Sequence, residues 1–230
     1  MYSMQGIVRK SVSNVTTQFE KLGYVANNLA NMNTKGYKTV TFEQMLNEDG
    51  YLTGAIRTET RQGSIQVTSN PYDVAIDGTG YIPVVSPEGE VAYTRDGAFK
   101  QGKDGYLVTT DDWIVGEGIK IPANCYKFEI KPNGEVYSYD AANTKPKKLG
   151  TIPLVRFASQ ENLEQRGMNK LVATADSGDP MLVRNHNCFC QNNIENSNTN
   201  IYSSTSDMLR LNASLLASTR MMKVVDDMYN

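Results

Sequence analysis

Few residues in this chain could do chemistry, and their spacing narrows what that chemistry would be. The single histidine, His186, lies two residues before Cys188, with Cys190 just beyond. A nucleophile–base site would have to use His186, yet no nucleophile-elbow pattern surrounds it, and adjacency in sequence does not make a catalytic pair. Cys188 and Cys190 stand too close for ordinary zinc spacing and lack a second pair of ligands. With Cys125 the thiols number three, an odd count that argues against a complete disulfide framework. Asp111 and Asp112 precede the single tryptophan, Trp113, and paired acids beside an aromatic could grip a sugar. The plainer reading is a hairpin turn followed by the start of a strand. Gly78-Thr79-Gly80 and Gly116-Glu117-Gly118 both lack the third glycine and the following helix of a dinucleotide fingerprint, and they read as turns. Phosphate-loop and calcium-loop spacings are missing. The expectation is a protein that is not an enzyme, with no catalytic, cofactor-binding or metal-binding residues.

Size and charge agree with that expectation. The chain has 230 residues, 40% hydrophobic and 21% charged, with a net charge of −2. That is enough for a real core, and it gives no global pull toward nucleic acid or anionic membrane. Lys145, Lys147 and Lys148 form the densest basic cluster and read as a solvated loop. No apolar run reaches the roughly 18–20 residues of a membrane-spanning helix. Met1 to Lys10 carries neither an apolar h-region nor a small-residue cleavage site.

The remaining signal lies in the elements. Residues 1–31 read as a helix, with Val8, Val12, Val15, Phe19, Leu22, Ala26 and Leu29 at alternating steps of four and three. Residues 203–230 mirror it through Met208, Leu211, Leu215, Ser218, Met222, Val225 and Tyr229, with Ser206-Asp207 at the start. Gly6, Gly23 and the β-branched residues make the first helix marginal alone. Such helices could lie on the protein's own core, but the narrow seams favour pairing with each other and with neighbouring subunits. Between them the period drops to two at Ile65/Val67, Tyr72/Val74/Ile76 and Phe128/Ile130, with frequent glycine and proline. Pro132-Asn133-Gly134 between Ile130 and Val136 marks a hairpin. The fold class expected is mainly β with terminal α-helices: an antiparallel β domain over 63–184, and a discontinuous helical, coiled-coil assembly domain over 1–62 and 185–230. Within the latter, residues 32–62 read as a polar, irregular connector, and residues 185–202 as an asparagine-rich connector that is not regular throughout.

Ala26-Asn27-Asn28-Leu29-Ala30-Asn31-Met32-Asn33-Thr34-Lys35-Gly36-Tyr37-Lys38 resembles the signature of the bacterial flagellar rod and hook family. The motif positions are Asn27, Asn28, Leu29, Asn31, Asn33, Thr34, Gly36 and Tyr37. The likeness continues through Thr68 to Tyr81, Tyr93-Thr94-Arg95-Asp96-Gly97-Ala98-Phe99, Gly105 to Thr109, and Glu195-Asn196-Ser197-Asn198. It covers essentially the whole chain. Asp112 stands where the family commonly has glycine, Tyr81 where phenylalanine is usual, and Cys188–Asn193 departs from a glycine-containing version.

The resemblance implies a structural subunit of the flagellar basal-body rod, self-assembling into the drive shaft that carries torque from motor to hook. It implies an inner coiled-coil layer made by the terminal helices. It also implies a periplasmic location in the basal body, reached by type III export without a cleaved signal peptide. The partners implied are the chain itself, other rod and hook subunits and the export apparatus, with no nucleic acid and no small-molecule substrate. A hook or rod-cap protein of the same family stays open, as does a cell-wall carbohydrate-binding β domain using Trp113, Asp111 and Asp112.

Overall fold

Each terminus forms a helix because its apolar residues recur every three or four positions and no proline interrupts them. In the computed structural model, which describes residues 4–48, 51–140, 143–167 and 169–227, α1 spans Met4–Ala30 and α2 spans Ile201–Asp227. The second helix begins earlier than Ser206-Asp207. Asn200 caps it, its Oδ1 accepting from the backbone N–H groups of Tyr202 at 3.0 Å and Ser203 at 3.4 Å. An asparagine at this position satisfies N–H groups that have no partner within the helix. Among the described residues, no helix is long and apolar enough to cross a membrane.

The chain divides into two compact units. The first comprises Met1–Met32, Thr39–Glu59 and Thr199–Asn230. Here α1 packs along α2 and also against a hairpin of β1 (Val40–Leu46) and β2 (Leu52–Thr58). By composition this stretch reads as an irregular connector, yet it is a hairpin in register from Val40↔Thr58 to Leu46↔Leu52. The alternation is present, with Val40 and Phe42 buried and Glu43 exposed. It covers so few residues that the polar composition around it hides it. Gly54 makes room for the hairpin's aromatic residue: a Cβ there would lie 1.9 Å from the Phe42 ring. The Phe42 ring stacks on Tyr24 of α1 with centroids 5.5 Å apart.

The second unit, Asn33–Lys38 and Thr60–Asn198, is an antiparallel β body. Its strands are β3 (Ile65–Val67), β4 (Val74–Ile76), β5 (Ile82–Val85), β6 (Val91–Thr94), β7 (Lys100–Gln101), β8 (Leu107–Val108) and β9 (Ile114–Val115). They continue as β10 (Cys125–Ile130), β11 (Glu135–Asp140), β12 (Asn143–Thr151), β13 (Val155–Arg156), β14 (Glu164–Arg166), β15 (Lys170–Val172) and β16 (Met181–Leu182). The last two, β17 (Phe189–Gln191) and β18 (Asn193–Glu195), fall in the stretch read as an asparagine-rich connector. A seven-stranded sheet runs in the order β14-β15-β6-β5-β9-β8-β7, and β10-β11-β12 forms a second sheet around the hairpin expected at Pro132-Asn133-Gly134. The pairs β17–β4 and β18–β3 complete the body.

The core lies between these sheets and includes Ile76, Ile82, Phe99, Leu107, Val136, Ile152, Leu154 and Phe189. Burying side chains of this size is worth roughly 1.5–3 kcal/mol each. The expected alternation at Tyr72, Val74 and Ile76 gives way to a strand buried on both faces, since Val74, Ala75 and Ile76 are all 0% exposed. A smaller cluster gathers Tyr81, Tyr93, Val155, Phe157 and Leu163, with Tyr93 and Phe157 meeting edge to face at 4.8 Å. Phe99→Ala should therefore cost about 3–5 kcal/mol by denaturant unfolding, whereas Tyr126→Ala, at a ring that is 81% exposed, should stay within about 0.5 kcal/mol.

Candidate assembly site

The first unit leaves several large apolar side chains of its helices exposed. On α1 the seam residues Val15, Leu22 and Leu29 are half-buried, whereas Val12, Phe19 and Ala26 are exposed, Phe19 by 59%. The face of α1 that is buried runs through Thr17, Val25 and Asn28, offset from the seam. On α2, Leu211 and Leu215 are buried, and Met208 and Met222 are half-buried. Nothing is described for the side chains of Val8 and Val225, and Tyr229 lies outside the described residues. A second stripe on α2 escaped sequence reading: Tyr202, Leu209 and Leu216, all exposed, recur every seven residues. With Val12, Phe19 and Ala26 of α1, it means that both helices carry heptad-spaced side chains left uncovered in a single chain.

The signature around residues 27–38 does two different jobs. In the first unit Asn28 is 5% exposed. Its Nδ2 donates to the Val40 carbonyl at 2.7 Å and its Oδ1 accepts from the Val40 N–H at 2.9 Å. The side chain thus acts as one rung of a ladder for the first residue of β1. The Asn31 amide donates to the backbone carbonyl and side-chain oxygen of Asn27, both at 2.9 Å, which ends α1. Leu29 is half-buried and Asn33 exposed.

In the second unit the Thr34 carbonyl accepts from the Tyr37 N–H at 3.3 Å, and Tyr37 is 2% exposed. Gly36 takes φ +64°, and its N–H donates to the Glu195 carbonyl at 2.8 Å. A Cβ on Gly36 would stand 2.6 Å from the Arg95 carbonyl carbon, so both the backbone angle and the close approach demand glycine.

Next to Gly36 lies a buried ion cluster. The Glu195 carboxylate accepts from Lys38 Nζ, from Arg95 Nε and from the Gly63 N–H at 2.7, 2.7 and 2.8 Å. Its side chain is 0% exposed, and those of Lys38 and Arg95 are 5% and 4%. Arg95 spends its remaining donors on the carbonyls of Gly80, Gly78 and Ile76, and Lys38 also donates to Arg61 O. Burial lowers the pKa of the Lys38 ammonium from its ordinary value, and the attraction of Glu195 opposes that shift. No single-sequence signal marks these three residues as a cluster, because charged side chains are ordinarily surface ones.

The residues that could have done chemistry are otherwise engaged. Lys170 is ion-paired with Asp111 and lies 4.8 Å from the Trp113 ring centre, so the acid and the aromatic face already have an occupant. Thr109 Oγ1 donates to Asp111 Oδ1 at 2.7 Å. Asp112 takes φ +66° and Asn192 φ +57°. Apart from glycine, Asp and Asn are the residues that best tolerate this left-handed conformation. His186 stacks edge-on against Phe189 at 5.1 Å, and burial lowers its pKa. Burial raises the pKa of all three thiols, which is the opposite of nucleophilic activation.

Two family models match the chain: "Flagella basal body rod protein" over residues 16–38, and "Flagellar hook protein FlgE/F/G D1 domain" over residues 75–138. The flagellar basal-body rod protein FlgG of Caulobacter vibrioides is 33% identical across 74% of this chain and 75% of its own length. The protein of the same name from Bacillus subtilis is 34% identical across 69% of each. The flagellar hook protein FlgE of Brucella abortus is 36% identical across 50% of this chain but only 32% of itself.

Gly36→Ala should lower the stability of the β body by about 2 kcal/mol or more, from backbone strain and the clash with Arg95 together. A fall in the thermal midpoint of the full chain checks this.

Proposed function

The chain belongs to the flagellar basal-body rod protein family, and from that membership we propose that it polymerises through its terminal helices into the drive shaft that carries torque from motor to hook. It is a structural subunit of the rod. The observation that carries the mechanism is the uncovered heptad spacing on both helices: Val12, Phe19 and Ala26 on α1, and Tyr202, Leu209 and Leu216 on α2. Apolar side chains at seven-residue intervals seat into the grooves of neighbouring helices. Removing several such side chains from water per subunit, at ~25 cal/mol per Å² of apolar area, supports a polymer whose many weak contacts add. The half-buried set Val15, Leu22 and Leu29, with Leu211 and Leu215, would belong to a coiled-coil pairing of α1 with α2 inside each subunit.

On this reading the chain assembles with copies of itself and with other rod and hook subunits. It reaches the periplasmic rod through the flagellar export apparatus without a cleaved leader, and it performs no catalysis and holds no cofactor. The domain division proposed is a helical assembly part at the two ends of the chain and an antiparallel β part between them. A hook-subunit reading draws on the match to the Brucella hook protein, but that match spans a third of the hook protein, against 69–75% of the two rod proteins. The sugar-binding reading loses its site to Lys170.

Phe19→Asp combined with Leu216→Asp should abolish polymer formation by the purified chain, read by sedimentation and electron microscopy, while the thermal unfolding of the β body stays where it is. Polymers of normal length from the double variant would refute assembly through these stripes. In cells carrying the variant, electron cryotomography should show basal bodies with the rod missing or cut short.

A further inference from the structure

The β body is assembled from the chain in an unusual order. Its first strands, β3 and β4, have one strand neighbour each among the described residues, and those neighbours are β18 and β17, from the far end of the body. Val74, Ala75 and Ile76 of β4 are completely buried, and Phe189 of β17 fills the same core. The segment 189–195 also ties in the second sheet. Gln191 Nε2 donates to the carbonyls of Pro71 at 2.7 Å and Phe128 at 3.1 Å, and its Oε1 accepts from the Ile130 N–H at 3.0 Å. The Phe189 N–H donates to Pro132 O at 3.1 Å. At the end of the segment stands Glu195, the one carboxylate ion-paired with either Lys38 or Arg95 among the described residues.

Electrostatics makes this more than late packing. Lys38 and Arg95 are both nearly sealed from water, and two cations in a low-dielectric interior with no anion are strongly disfavoured. Until Glu195 arrives, the body can hold its first strands together only by burying two cations with no anion beside them or by leaving those residues solvated and the core open. Contacts this distant in sequence are also slow to form, because the loop must close before the contact is gained.

We propose that residues 189–195 are the closing strand of the β body and that Glu195 gates the closure. The body therefore stays open while most of a chain made from its N-terminus is already present, and shuts in one step when β17 and β18 dock. This device is independent of the assembly reading, since every residue in it belongs to the second unit.

The single tryptophan, Trp113, lies in that unit, so its fluorescence reports closure in the full chain. Stopped-flow refolding and unfolding should be compared for the wild type and Glu195→Gln. An interaction made at the barrier slows folding and leaves unfolding nearly untouched, so refolding should slow by about tenfold and unfolding change by less than about threefold. Refolding at the wild-type rate, with all the loss in faster unfolding, would mean that the ion cluster forms after the barrier and would overturn the proposal. If Glu195→Gln does not fold, Ile194→Ala in the same strand supplies the same division of rates. A loss expressed in refolding supports the gate, and one confined to unfolding sinks it.

Discussion

One carboxylate is shared by two cationic side chains in the interior of this protein, and much of the β body is arranged around that cluster. Glu195 meets Lys38, Arg95 and the Gly63 N–H inside van der Waals walls that leave it no water. Such a cluster is not a cheap source of stability, since desolvation offsets most of the Coulomb gain. What it fixes is geometry. The three side chains come from residues 38, 95 and 195 of the sequence, and each has a narrow set of places where its charge is tolerable. Gly36 beside the cluster has no Cβ because the Arg95 backbone already occupies that space.

The first unit follows a different physics. Asn28, Tyr24 and Phe42 hold its hairpin to α1 through a hydrogen-bonded rung and a ring stack. Its helices, however, leave Phe19, Leu209, Leu216 and Met221 exposed. In the β body the large apolar side chains are mostly enclosed, as at Phe99, Leu107 and Phe189. On the proposed reading, the β body encloses its own core, whereas the helical unit leaves apolar surface for neighbours to cover. Heptad spacing lets that surface be shared along a helix axis rather than buried in one place.

Backbone angle sets the residue choice at two of the turns. Asp112 and Asn192 both take positive φ, the region that glycine adopts most readily. The side chains add something glycine cannot: Asp112 Oδ1 reaches Lys100 Nζ at 2.9 Å. Asp and Asn are tolerated at these angles because they pay the smallest steric penalty among residues with a Cβ.

The two terminal helices, the antiparallel β region between them, the Pro132-Asn133-Gly134 hairpin and the family are legible in the residues alone. Those features are written in periodicity, turn residues and motif, all of which are local. The residues also show which helix positions are apolar at seven-residue intervals, though not which of them a single chain covers. That β1–β2 and β17–β18 are strands emerges only on folding, because their alternation is too brief to stand out against polar neighbours until a partner strand supplies the hydrogen bonds. The burial of β4 on both faces depends on the packed sheets. Likewise, Lys38, Arg95 and Glu195 read singly as surface charges. Their burial depends on an encounter between segments separated by 57, 100 and 157 positions in the chain, and no local pattern records an interaction that exists only once the chain has folded back on itself.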